Sequence, residues 1–204
     1  MAELGNVETA MSLLDFGCGC GRLLRFLAFY SHRVELVGVD VEPKHIAWCS
    51  CNLNTALVTR TEKVPPLPFL ANRFDRIVSL SVFSHLPEDA HLKWRDELAR
   101  VLAPGGRLIM TTLGQAAIDA AQRSRASFDI LQISESRFET AIVEVARRGF
   151  SFVLQADHPL SDYGIALVSE SWVREFWGVH FTLEKYIPGW AGGWQDGYLL
   201  ERRK

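Results

Sequence analysis

The residues of this 204-residue chain with the most chemical potential lie in one short run and at two isolated positions. The run "LLDFGCGCGRLL", residues 13–24, sets Gly17, Gly19 and Gly21 at alternate positions between two apolar stretches, with Asp15 just ahead and Cys18 and Cys20 in the gaps. The isolated positions are Asp40, an acid closing the apolar run "VELVGVD", and His85 in "SVFSHLP". The glycine run admits a thiolate metal site, a dinucleotide turn, or a cradle for another ligand. Cys18 with Cys20 and Cys49 with Cys51 would offer four thiols. Structural zinc favours about two to four residues between paired cysteines, and residues two apart on a helix, where the second pair falls, point to nearly opposite sides. Packing of small, soft side chains is the better account of these cysteines, and no metal is expected. A dinucleotide turn, G-x-G-x-x-G, counted from Gly17 and Gly19 would need its third glycine where Arg22 stands.

The elements that must position these residues alternate from residue 12 to about 113. "SLLDF", "VELVGVD", "ALVTR", "FDRIVSLS" and "RLIMTT" read as strands, and helical segments lie between them. Pro43 suits the first turn of the helix carrying "KHIAWCSCNL"; Pro87 suits the start of "EDAHLKWRDELARVL", whose expected stop is Pro104-Gly105-Gly106. Strand and helix units in this order imply a doubly wound, mostly parallel sheet with helices on both faces. Beyond Gly114 come a helix "SESRFETAIVEVARRG", two runs "FSFVL" and "GIALVS" that can pair as a hairpin, a short helix "ESWVREFW", and two β-like runs joined by "PGWAGGWQDG". That short connection predicts an antiparallel close to the sheet. A loop after the first strand of such a sheet lies at its carboxyl edge, where ligands bind.

The chain here resembles the class I S-adenosylmethionine-dependent methyltransferases, whose first motif, an acid followed by G-x-G-x-G, is matched by Asp15, Gly17, Gly19 and Gly21. "VGVD" resembles the second motif, and "PPLPF", "FDRIVSLSVFSHLPED" and "LARVLAPGGRLIMTT" look like the fourth- and fifth-strand segments. The last two runs resemble the sixth and seventh strands, so a seven-stranded sheet with an antiparallel C-terminal strand is expected over a single domain, residues 1–204. The resemblance implies S-adenosylmethionine as cofactor and S-adenosylhomocysteine as product, with Asp15 toward the methionine amino group and Asp40 on the ribose hydroxyls. It extends the cofactor set to Cys18, to Val41 after the acid, to Thr61 and Glu62 near the adenine, and to Ser79 and Ser81, with Val82, beside the methyl group. Physical chemistry agrees: glycines let backbone approach a ligand, the following helix offers free N–H groups to a carboxylate, and an acid at the second strand end can accept two hydroxyl protons.

An already activated methyl needs mainly alignment of the acceptor and, for a hydroxyl acceptor, removal of a proton. His85 is the candidate base; its alternative is a loop histidine that bonds backbone and shapes the turn. His32, His45, His91, His158 and His180 show no constellation in sequence. Trp172 and Phe176, one helical turn apart, are expected to pack on the sheet, whereas Trp190 and Trp194 in a glycine-rich loop are candidates for substrate or interface contact. Residues 114–168 are expected to supply a lid or substrate-specificity insertion.

Composition excludes several classes. Net charge is −2, charged residues make up 23%, and no basic stripe is present, so a nucleic-acid partner is not expected. No apolar run reaches the roughly 18 residues of a membrane span, and the N-terminus has no leader pattern, so a cytoplasmic location is expected. The fourth strand ends "SLSVF" rather than in the Asn/Asp-Pro-Pro-aromatic signature that resembles amino-group methylation. With "YIPGWAGGWQD", the pattern looks most like bacterial small-molecule and glycan-associated methyltransferase domains, some beside glycosyltransferases. That likeness implies O-methylation of a small molecule or sugar, and association with or fusion to a glycosyltransferase. About eleven residues precede "SLLDF", where relatives carry a helical cover; either the gene product is short or the chain is a fragment. The rivals are a degenerate, non-catalytic module acting through a protein partner and, more distantly, an NAD-linked oxidoreductase, which lacks here both the third glycine and a Tyr-x-x-x-Lys pair.

Overall fold

A computed structural model describes residues 11–124, 131–155 and 163–204. The strands are β1 (Ser12–Phe16), β2 (Glu35–Asp40), β3 (Leu57–Arg60), β4 (Phe74–Ser79), β5 (Leu102–Leu113), β6 (Phe150–Leu154), β7 (Gly164–Val168), β8 (Phe181–Ala191) and β9 (Gln195–Arg202). The helices are α1 (Arg22–Leu27), α2 (Pro43–Asn52), α3 (Glu88–Val101), α4 (Gln115–Arg123), α5 (Glu135–Arg148) and α6 (Glu170–Phe176), with single 3-10 turns after α1 and α6. Strands β3-β2-β1-β4-β5 are parallel neighbours in that order, β9 lies antiparallel against β5, and β8 pairs with β9. These seven strands make the expected doubly wound sheet. The sheet has nine strands because the β6–β7 hairpin attaches at the end of β5, through Leu113 opposite Leu167.

The two faces of the sheet follow from strand periodicity. Leu13, Leu36, Val78 and Ile109 pack with Leu24, Leu27, Cys49 and Leu53 on the α1–α2 side. Their immediate neighbours Leu14, Val37, Ile77 and Leu108 pack on the other side with Trp94, Leu98, Trp172 and Trp177. Successive strand residues point to opposite faces, so a strand covered on both sides must be apolar throughout, as β1 is, with all five of its residues buried.

Helix α2 begins at Pro43, and the Glu42 side chain caps it by accepting from the Lys44 N–H at 3.1 Å. Helix α3 starts after Pro87, with Glu88 and Asp89 in its first turn, where the helix dipole favours negative charge. It ends at Val101, earlier than Pro104-Gly105-Gly106. Leu102 already pairs with Phe74, and a register shift before Arg76 takes up the Pro-Gly-Gly segment inside β5.

Residues 114–168 contribute α4, α5 and the β6–β7 hairpin. Ala117, Ile118 and Ala121 join Phe138, Ala141, Ile165 and Leu167 in a third apolar cluster that packs onto Leu113. Among the described residues no helix is long and apolar enough to cross a membrane.

Candidate functional site

The glycine run forms a tight loop between β1 and α1. The N–H groups of Gly17 and Cys18 both donate to the Val39 carbonyl at 2.9 Å, which ties the loop to β2. Gly17, Gly19 and Gly21 have φ values of 78°, 52° and 70°, a region that side chains with a Cβ rarely adopt. Their surroundings differ. A Cβ at Gly17 would stand 2.2 Å from Val82 Cγ2, and one at Gly21 would stand 2.4 Å from Leu53 Cδ1, but one at Gly19 would meet nothing within 4 Å. Gly17 and Gly21 therefore serve close packing, while Gly19 bounds the open side of the loop. The Cys49 and Cys18 thiols lie 3.4 Å and 3.7 Å from the Gly19 carbonyl, as donors. Burial pushes both thiols up, so they stay protonated. Cys18 directs its side chain into the core against Leu24 and Gly38, which leaves only its backbone at the loop surface.

Four neighbouring strands end in polar residues along this edge: Thr61 just past β3, Asp40 on β2, Asp15 on β1 and Ser79 on β4. Asp40 is held by the loop, with Oδ2 accepting from the Gly19 N–H at 2.7 Å and Oδ1 from the Glu42 N–H at 2.8 Å. Each carboxylate oxygen keeps a lone pair for a further donor. Asp15 is 3% exposed, and its Oδ2 has no hydrogen-bond partner among the described residues. Burial, and secondarily the charge of Asp40, raises its pKa to about 7. The Thr61 and Ser79 hydroxyls are likewise buried and unpartnered among the described residues. Buried polar groups in folded proteins nearly always find partners, so a line of three unpartnered ones beside an open loop fits a polar ligand with a cationic group near Asp15. Val41 and Glu62 are exposed beside Asp40 and Thr61.

Histidine geometry refines the sequence reading. His45 on α2 places Nδ1 3.6 Å from Asp40 Oδ1, a contact that sequence spacing does not signal because the acid precedes the helix across a turn. His91 is fully buried among Phe83, Phe150, Trp172 and Trp177, and its Nε2–H donates to the Phe83 carbonyl at 2.8 Å. Burial lowers its pKa to about 4, so it is a neutral core residue. His180 Nε2 lies 3.1 Å from Asp96, and His32 Nδ1 lies 3.0 Å from the Phe29 carbonyl. His158 lies outside the described residues.

The loop after β4 is held from two sides. Ser81 has φ 61°; its N–H donates to Thr111 Oγ1 at 2.8 Å, and its hydroxyl accepts from Gln195 Nε2 at 2.8 Å. Ser81 thus ties the turn to β5 and β9. Val82 fills the space that Gly17 leaves. His85 donates from Nδ1 to the Gly164 carbonyl at 2.9 Å, and its ring stacks on Tyr163 with centroids 4.6 Å apart. That backbone bond is the turn-shaping role set out as the alternative for His85. In the neutral ring it also puts the lone pair on Nε2.

Trp172 and Phe176 stack at 4.9 Å and pack against the sheet as expected. Trp190 and Trp194 are partly buried by packing, Trp190 over Gly197 with the β1–α1 side of the core and Trp194 on the α4–α5 cluster. Their glycine-rich loop turns β8 into β9, and the hairpin folds the indoles back onto the protein. A shallow depression of about 630 Å³ lies at the opposite, amino edge of β2 and β3, away from the polar strand ends.

Comparison with known proteins adds the family. A methyltransferase-domain family profile matches residues 13–106. The cyclopropane mycolic acid synthase of Mycobacterium tuberculosis is 28% identical over 115 residues, 55% of this chain and 39% of that protein. The chloroplastic tocopherol O-methyltransferase of Arabidopsis thaliana is 31% identical over 106 residues, 49% of this chain and 29% of that protein. This chain therefore spans well under half the length of these curated relatives. In fold it is similar to a crystal structure of an S-adenosylmethionine-dependent methyltransferase from Methanosarcina mazei, with a TM-score of 0.68 and 16% identity over 96% of this chain and 93% of that one.

Proposed function

We propose that this chain, which through residues 13–106 belongs to the class I S-adenosylmethionine-dependent methyltransferases, transfers the methyl group to a hydroxyl oxygen of a small molecule or saccharide. The observation that carries the reading is the buried Asp15, whose Oδ2 has no partner among the described residues, beside the open Gly19 and the clamped Asp40. Asp15 would take the cationic amino group, Asp40 the ribose hydroxyls, and Thr61 with Glu62 and Val41 the base. The N–H groups at the start of α1 would face the carboxylate. When bound, the cofactor supplies a methyl made electrophilic by the adjacent sulfonium charge.

The protein's part is alignment and proton removal. Ser79 and the Ser81–Val82 turn border the reacting end, with Ser81 held by Thr111 and Gln195. His85, with its proton on Nδ1, would accept the acceptor hydroxyl's proton at Nε2. The hydroxyl class is supported by this histidine and by a relative named as an O-methyltransferase. Within residues 114–168, helices α4 and α5 and the β6–β7 hairpin, which share an apolar cluster through Ala117, Phe138 and Leu167, would form the acceptor-side wall.

Calorimetric titration with S-adenosylhomocysteine, with NADH as control, tests the cofactor assignment. Micromolar binding that disappears in Asp40→Ala supports it, and wild-type affinity in that variant overturns it. An acceptor screen beginning with sugars and phenols then tests the chemistry. Undiminished turnover by His85→Ala would remove the base.

A further inference from the structure

Helices α1 and α2 turn Leu24, Leu27, Cys49 and Leu53 inward to the sheet. The complementary spacing, Arg22, Phe26, Phe29 and Arg33, is exposed along α1 and the 3-10 turn that follows it. Phe26 and Phe29 are 64% and 79% exposed, and Trp48 on α2 is 42% exposed. Among the described residues these are the only exposed Phe, Tyr or Trp side chains, and all three fall on this one side of the sheet. Arg25 sets its guanidinium carbon 5.5 Å over the Trp48 ring, which joins the two helices into one surface. The charge of that surface has one sign. No Asp or Glu occurs from Gly17 to Val34 or from Pro43 to Arg60, stretches that carry Arg22, Arg25, Arg33 and Lys44, all exposed. The three acids between those stretches are engaged: Glu35 pairs with Arg73 at 2.5 Å, Asp40 holds the glycine loop, and Glu42 caps α2. The net charge of −2 therefore hides a basic, aromatic face.

We propose that this face docks the protein onto an anionic lipid surface, lying on the bilayer without crossing it. Phe26, Phe29 and Trp48 enter the boundary between headgroups and acyl chains, while Arg22, Arg25 and Arg33 meet the lipid phosphates. Charge and apolar area together choose this occupant. A second copy seated by two-fold symmetry would set the basic face against itself, where like charges repel. A nucleic acid draws its partner mainly by charge, and a chain of net charge −2 has little long-range pull toward a polyanion. An anionic lipid interface takes the cations and the apolar rings at once. Phe26, Phe29, Arg25 and Arg33 lie outside the cofactor set, so docking is separable from the chemistry of the site.

The test is co-sedimentation of the full chain with vesicles of phosphatidylcholine alone and of equimolar phosphatidylcholine and phosphatidylglycerol. Binding is expected to the mixed vesicles, to be much weaker with the neutral ones, and to fall as salt rises from about 0.1 M to about 0.5 M. Phe26→Ser combined with Phe29→Ser should lower the partition coefficient about tenfold or more, and so should Arg25→Glu combined with Arg33→Glu. These side chains are exposed, so the melting temperatures of both variants should stay close to the wild type. If one pair fails to fold, the other makes the same comparison. The mixed vesicles should also shift tryptophan emission to the blue, and the shift should be lost in Trp48→Phe. A shift that persists there places the contact on another face and overturns the assignment. Absence of binding to the mixed vesicles, equal binding to neutral ones, or binding that survives the substitutions overturns the proposal. So does a face that ignores vesicles while the same substitutions abolish binding of single-stranded RNA or a concentration-dependent dimer in analytical ultracentrifugation.

Discussion

The carboxyl edge of the sheet has two halves built in different ways. At the tips of β1 and β2, a glycine loop and two acids lie within about thirty residues, tied by backbone bonds to Val39 and by Asp40 to the Gly19 N–H. At the tip of β4, the turn through Ser81 and His85 is held by Thr111, Gln195, Tyr163 and Gly164, which arrive from β5, β9 and the β6–β7 hairpin. The first half depends on local backbone geometry, and the second on elements that must first fold and dock. A ligand site common to a family suits the first arrangement. A pocket that changes with the acceptor suits the second, because distant loops can vary while the sheet stays intact.

Breaking the first half should have the largest effect. Asp40→Ala removes two charge-assisted bonds that hold the loop as well as the proposed ribose acceptor, and should weaken S-adenosylhomocysteine binding by about 100-fold or more in calorimetry. Gly17→Ala drives a Cβ to 2.2 Å from Val82 at φ 78°, and should cost about 2–3 kcal/mol in denaturant unfolding. Gly19→Ala, with open space around it, should cost only about 1–2 kcal/mol of stability yet lose cofactor affinity, because its methyl stands where the ligand would approach. Equal stability losses in the two glycine variants would contradict the division between packing and cradle.

Asp15 sharpens the comparison through pH. Its pKa rises from 3.8 unfolded to about 7 folded, so the folded state holds the proton more tightly. Stability from this group is present below about pH 4 and is lost as pH rises to about 7. Asp15→Asn should therefore raise the melting temperature at pH 8 and leave it unchanged near pH 3. A ligand ammonium at Asp15 reverses the preference, so binding should release a proton and strengthen between pH 6 and about 8, read as a buffer-dependent heat. The smallest effect is expected in the second half. Ser81→Ala removes one of several ties and should cost under about 1 kcal/mol of stability, with a far smaller loss of cofactor affinity than Asp40→Ala.

Much of the first half is legible in sequence because its signals are local. Alternate glycines, an acid closing an apolar strand, and Pro43 and Pro87 at helix starts each act within a few residues. The continuous apolar runs likewise mark the central parallel strands as covered on both faces. The Pro-Gly-Gly segment is the exception, since cross-strand pairing of Leu102 with Phe74 outweighs the breaker signal and ends α3 early. Trp190 and Trp194 look accessible in a glycine-rich loop, but the β8–β9 hairpin turns both back onto the protein.

Sequence alone determined the sheet class, the glycine loop and the identities of Asp15 and Asp40, because apolar strand runs, backbone permissiveness at glycine and a charge ending an apolar run are properties of neighbouring residues. Only the tertiary structure decided which polar atoms lack partners among the described residues, that His45 approaches Asp40, that His91 is sealed in the core, and that His85 bonds a hairpin carbonyl some eighty residues away. Those depend on burial and on long-range hydrogen bonds, and neither exists until the chain has closed on itself.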